Sequence, residues 1–199
     1  MTFRFHGCRL SVSFPFLAAA AVLLLFDRTG VAAAGFAAAA LHECAHLAAM
    51  RAFRCLPEQI RLNAFGIDIV RPSRPDRSYL RDAAISLSGP AANLAAAALF
   101  SPCRGPAGRN LALANFALFA FNLLPVEPLD GGQALYSFLC LRWNPDAAAR
   151  AVGIVSFAVL VPVAAAGFVA VFRSPGNVSL LFVCVYLMAL LVLKKGSFG

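Results

Sequence analysis

The sequence predicts an all-α polytopic membrane protein of about six transmembrane helices, with a small β-hairpin insertion and a broken, re-entrant segment. Three observations lead there. Apolar residues make up 61% of the 199 residues and charged residues only 13%, against roughly 45–50% and about 25% in a soluble domain. The apolar excess falls into runs of about 15 to 20 residues, long enough for a helix to cross a hydrocarbon core of ~30 Å. The basic residues lie mostly between these runs, so the net charge of +8 reads as membrane orientation rather than as a nucleic-acid surface. A single integral-membrane domain over residues 1–199 is expected, because no long polar tail or linker interrupts the pattern.

The first run, Phe14 to Phe26, follows Arg4 and Arg9. A basic start and the alanines at Ala32 to Ala34 also suit a cleaved signal peptide. The next run begins almost at once, so a retained helix is expected instead. The second run, Val31 to Met50, ends in "LHECAHLAAM". Then comes the most polar stretch, Arg51 to Asp82, containing "IRLNAFGIDIVRP". Apolar and polar residues alternate there on both sides of Asn63 to Gly66, the pattern of a β-hairpin with a short turn. The third run is Ala83 to Phe100, with "SGPAAN", and the fourth is Leu111 to Leu124. A Pro- and Gly-rich break, "PVEPLDGG", precedes an amphipathic segment from Gln133 to Leu141. Runs five and six are Ala149 to Phe172 and Val178 to Leu193.

Six spans put both termini on one side of the membrane. With that side cytoplasmic, thirteen Lys and Arg residues face the cytoplasm and four face away, as the positive-inside rule favours. The six cysteines are scattered without a C-x-x-C pair, so neither a disulfide framework nor a cysteine zinc knuckle is expected.

His42, Glu43 and His46 form H-E-x-x-H. Helical positions i and i+4 are offset by about 40° and one turn, so both imidazoles share a face and can grip one metal. Glu43 is turned about 100° from His42, placed to reach water at the metal as a general base. The costs argue against idle polar residues: an ionisable group inside a span costs about 2.5–3.5 kcal/mol even on the lenient insertion scale. A catalytic zinc usually has three protein ligands and an open position. Glu127 and Asp130 both sit in the break after the fourth run, and Asp130, followed by Gly131 and Gly132, is the expected third ligand.

"HECAH", "SGPAAN" and "NLLPVEPLDGG", in that order, resemble the site-2 protease family of intramembrane zinc metalloproteases, and within it the subgroup typified by stage IV sporulation protein FB. The resemblance implies that His42, His46 and Asp130 bind one zinc ion per chain and that Glu43 activates water. It also implies that Asn122, eight residues before the aspartate, helps to hold substrate or the oxyanion. Many relatives carry PDZ or CBS domains; neither is expected here. Ala45 stands where relatives often have glycine.

The expected activity is hydrolysis of peptide bonds in membrane-associated protein substrates at or within the bilayer. The active site would open toward the cytoplasm, because only a wet cavity or surrounding protein tolerates the broken backbone at Pro125 to Gly132. Asn93 is a second candidate for hydrogen bonding to an oxyanion, with a bond between helices as the alternative. The hairpin around Ile60 to Val70 is a candidate for holding substrate in extended form. The partners implied are a membrane-anchored substrate and the lipid bilayer, not nucleic acid. A metal-ion transporter would show polar residues on both halves of several spans, whereas here they gather toward one end. A catalytically silent, helix-binding relative would not need Glu43.

Overall fold

The computed structural model describes residues 2–5, 8–55, 57, 59–63, 66–70 and 78–173. Contacts divide the chain into two units, Met1–Arg77 with Ser88–Ala120, and Ser78–Leu87 with Phe121–Gly199.

The first unit contains a four-stranded sheet in the order β1-β2-β3-β4. Its strands are β1 (Thr2–Phe5), β2 (Cys8–Val12), β3 (Gln59–Asn63) and β4 (Gly66–Val70). β3 and β4 occupy the segment of alternating sequence and pair antiparallel, from Gln59 opposite Val70 to Asn63 opposite Gly66. β1 and β2 also pair antiparallel, and β2 lies parallel to β3 with Arg9 opposite Gln59. The sequence signalled neither β1 nor β2, because both lie in a short N-terminal piece with too few residues to establish a period.

Ser13 ends β2 and starts α1 (Phe14–Leu25). Its side chain accepts from the Phe16 amide at 3.4 Å, and proline stands in the first turn, where the missing N–H costs nothing. The connection to α2 (Val31–Ala52) is organised by Asp27. Its carboxylate accepts from the amides of Thr29, Val31 and Ala33 at 2.9–3.3 Å. The first amides of a helix lack intrahelical partners, and Asp27 supplies them. The bond from Ala33, helped by those from Thr29 and Gly30, holds the Asp27 carboxyl below the usual carboxylate range.

The buried face of α2 is Ala34, Ala38, His42, His46 and Met50, one residue in every four. Alanines line its first half, so neighbouring backbone can approach closely; imidazoles line its second. α3 (Tyr79–Phe100) and α4 (Pro106–Asn122) complete the helices that contribute to this unit. α3 contains Gly89 and Pro90 in its interior. Relative to alanine they cost a helix roughly 1 and 3 kcal/mol, so packing rather than propensity holds the helix there.

In the second unit, the chain leaves α4 through a break and enters α5 (Asp130–Leu139), followed by α6 (Pro145–Arg173). Val126 and Leu129 of the break are buried against Leu160 of α6. Tyr136 and Cys140 pack on Ala148 and Val152. The break satisfies its own backbone: the Val126 amide donates to Leu124 O, the Leu129 amide to Val126 O, and the Glu127 amide to Ser156 Oγ at 2.9 Å. Gln133 Nε2 donates back to Glu127 O at 3.1 Å. Asn144 starts α6 with its side-chain oxygen on the Ala147 amide at 2.7 Å.

Three helices are long and apolar enough to cross a membrane: Val31–Ala52, Tyr79–Phe100 and Pro145–Val169. The expectation of six is therefore corrected to three among the described residues. α1 has 12 residues and α4 has 17, about 18 and 26 Å at 1.5 Å per residue, both short of a ~30 Å core. The runs behind them, Phe14 to Phe26 and Leu111 to Leu124, are themselves too short to cross that core as helices. The sixth run, Val178 to Leu193, lies outside the described residues.

Gly132 sits where an added Cβ would meet the backbone of Val126 and Glu127. Backbone cannot step aside, so Gly132→Ala is expected to destabilise the protein by about 1–3 kcal/mol. Gly153, in α6, has nothing within 4 Å of an added Cβ, and Gly153→Ala is expected to be neutral or stabilising by up to ~1 kcal/mol. Thermal unfolding in detergent compares the two.

Candidate metal centre

The i, i+4 spacing on α2 brings the two imidazoles together. His42 and His46 are both about 5% exposed, and their rings meet edge to face with centroids 4.7 Å apart. The two Nε2 atoms lie 3.1 Å from each other. Each Nδ1 points away from that meeting point: His42 Nδ1 lies 2.5 Å from Asn93 Oδ1, and His46 Nδ1 lies 3.3 Å from Ser88 Oγ.

The protonation of His42 follows from its partner. Asn93 donates through Nδ2 to Ala38 O at 3.1 Å and to Asn115 Oδ1 at 2.8 Å. Both acceptors demand the amide nitrogen on that side, so the carbonyl oxygen of Asn93 faces His42 and can only accept. His42 Nδ1 therefore carries the hydrogen, and Nε2 bears the lone pair. Asn93 and Asn115 are fully buried, and Asn115 Nδ2 donates in turn to Leu111 O at 2.8 Å. Of the two readings of Asn93 that the sequence leaves open, the structure selects the bond between helices: its carbonyl and both amide hydrogens are engaged with α2 and α4.

The arrangement fits a tetrahedral metal. Two nitrogens at ~2.05 Å from one zinc ion, on adjacent corners of a tetrahedron, are ~3.3 Å apart, close to the observed 3.1 Å. Gly89 leaves the room. A Cβ there would lie 2.5 Å from His46 Nε2 and 2.7 Å from His42 Nε2.

The other expected site residues are placed as follows. Glu43 is half-buried on α2, one position after His42. Asn122 is the last residue of α4, and Asp130 the first of α5; both are half-buried and belong to the second unit. Gly131 and Gly132 let the first turn of α5 lie against the carbonyls of Leu123, Leu124 and Val126, which ties the Asp130 backbone to the break. Glu127, the alternative acidic residue, has its amide bonded to Ser156 and its carbonyl to Gln133. Sequence reasoning missed Ser88, Gly89 and Asn115. Asn115 left one signal, an amide side chain in the middle of an apolar run.

No protein-family profile and no curated protein matches the chain by sequence. Among solved structures, it is similar to the site-2 protease from Methanocaldococcus jannaschii. The TM-score is 0.69 at 19% identity, covering 98% of this chain and 95% of the other. The likeness is one of fold. With three membrane-length apolar helices and a buried pair of histidines, it places the chain among membrane proteins built like a site-2 protease.

Gly89→Ala is expected to force the imidazoles apart while leaving α3 helical, since alanine is the better helix former. Histidine ring ¹⁵N spectra should change and divalent-metal affinity should fall by at least tenfold, with circular dichroism unaltered.

Proposed function

We propose that this protein is an intramembrane zinc metalloprotease that hydrolyses peptide bonds of membrane-associated proteins. The observation that carries the proposal is the pair of buried imidazoles whose Nε2 atoms lie 3.1 Å apart on a membrane-length helix, with Glu43 next in sequence. Two buried imidazoles whose Nε2 atoms converge on one face of a helix form a donor pair able to share a cation. The fold likeness to a site-2 protease supports the same reading.

Asp130 supplies the third ligand in this proposal. Two imidazoles and a carboxylate form a donor set able to hold a metal ion, and this mixed set suits zinc. Zinc bound there supplies Lewis acidity and a water acidic enough to react near neutral pH. Glu43 takes the proton from the attacking water and delivers it to the leaving amine. Asn122 donates a hydrogen bond to the oxygen on which negative charge develops.

The substrate is a membrane-anchored or membrane-associated protein, cut in the manner of regulated intramembrane proteolysis. Both termini and the opening of the active site face the cytoplasm, in keeping with the distribution of basic residues. The relatives that suit this reading are those of the stage IV sporulation protein FB type. β4 lies at an edge of the sheet, where an extended segment of substrate can add as a further strand.

Glu43→Gln in the full chain should keep stoichiometric zinc and lose cleavage of co-expressed single-span membrane proteins by about 10²–10⁴-fold. Asp130→Ala should lower zinc affinity by at least ~100-fold, beyond what loss of a residue that merely orients a ligand costs. Unchanged cleavage by Glu43→Gln, or wild-type protein that is active without metal, would refute the proposal. Ile69→Pro should impair cleavage and leave zinc content intact; equal loss of both would remove the strand-addition role.

A further inference from the structure

α3 approaches the histidine pair with three residues in less than two turns: Ser88, Gly89 and Asn93. Each meets a different part of the pair. Asn93 Oδ1 sits on His42 Nδ1, Ser88 Oγ on His46 Nδ1, and the bare Cα of Gly89 lies against both Nε2 atoms. Helical periodicity explains the set, since positions 89 and 93 are one turn apart on one face and 88 adjoins them.

We infer that this S-G-x-x-x-N element of α3, braced by Asn115, is a template that presents His42 in a single tautomer, with its Nε2 bearing the lone pair turned to the metal, and holds His46 beside it through Ser88. It rests on the zinc reading above and adds positioning residues to it. The template has a direction. The Leu111 carbonyl accepts from Asn115 Nδ2, which leaves Asn115 Oδ1 to accept from Asn93. Asn93 spends its other amide hydrogen on Ala38 O, which leaves its own oxygen to accept from His42. Every donor and acceptor along the chain is thus set by a backbone carbonyl at its far end. Ser88 is the adaptable member, because a hydroxyl can rotate either to donate to His46 Nδ1 or to accept from it. Neither asparagine needs to touch metal or substrate, so both are positioning residues. The hydrogen bond to Nδ1 also makes the ligating nitrogen more basic.

The test uses the full-length protein in detergent with ¹⁵N-labelled histidine, read as metal-depleted protein and during zinc titration. Wild type should show His42 as the Nδ1–H tautomer before metal is added. Asn93→Asp keeps the acceptor for His42 and should retain that tautomer, with zinc affinity within about threefold of wild type. Asn93→Leu removes the acceptor; it should give mixed tautomers and a 10–100-fold loss of zinc affinity. Asn115→Leu, two bonds from the ring, should shift the tautomer in the same direction by less. Should Asn93→Leu fail to fold, the comparison of Asn115→Leu with wild type decides. An Nδ1-deprotonated His42 in the wild type, or leucine variants that bind zinc as wild type does, would overturn the inference and leave the zinc reading standing. Wild-type protein that binds no zinc would sink the zinc reading, while the tautomer spectra would still judge the template.

Discussion

The hydrogen bond from His42 to Asn93 is the interaction on which the rest of this structure depends. A polar side chain buried without a partner costs several kcal/mol where no water can reach it. An imidazole brings two nitrogens with opposite demands. Here Nδ1 is satisfied by an amide oxygen 51 residues away in sequence, and Nε2 faces the second histidine. That single bond requires α2 and α3 to lie close enough for Asn93 also to reach the Ala38 carbonyl. It therefore requires small residues on the buried face of α2, and alanines stand at positions 34 and 38. It requires a helix without side-chain bulk at residue 89, and glycine stands there at a cost to helix propensity. Polar and packing demands thus select one another's residues.

The same constraint acts on backbone in the second unit. Between α4 and α5 the chain abandons the helix, and each displaced amide or carbonyl must be bonded elsewhere. Ser156 serves both needs: its hydroxyl accepts from the Glu127 amide and donates to the Val152 carbonyl of its own helix. Gln133 reaches back six residues to the Glu127 carbonyl. Val126 and Leu129 anchor the break on Leu160. Two glycines remove the Cβ atoms that would separate the first turn of α5 from the break. Asp130 therefore starts a helix at a place defined by backbone contacts, with its charge at the end where the helix dipole favours an anion.

A chain with 19% identity to a solved site-2 protease has a similar fold at a TM-score of 0.69. The membrane explains how so little shared sequence suffices. Inside hydrocarbon the backbone must be helical or otherwise self-satisfied, lipid-facing residues need only be apolar, and only the few polar residues carry specific demands. Exposed positions such as Leu99, Leu113 and Ile154 can vary among apolar types without disturbing any hydrogen bond described above.

Much of this was legible in the sequence, and the boundary of legibility is physical. The apolar runs located α2, α3 and α6 within a few residues, and H-E-x-x-H placed two imidazoles on one face, because helical periodicity is a local property of the chain. Period-2 alternation marked residues 60–70 for the same reason. The number of spans was less readable: the runs that became α1 and α4 are apolar but too short to cross a membrane. Which side chains partner the histidines was not readable, although a bond between helices at Asn93 was one of its two readings. Asn93, Ser88 and Asn115 are polar letters in apolar runs, and such a letter says only that a partner is needed. By itself the sequence determined that two imidazoles able to hold a metal share one helix face, since that follows from neighbours within one turn. Only the tertiary structure decided which nitrogen of His42 bears the proton and why residue 89 is glycine, since those depend on atoms brought together from 40 to 55 residues away.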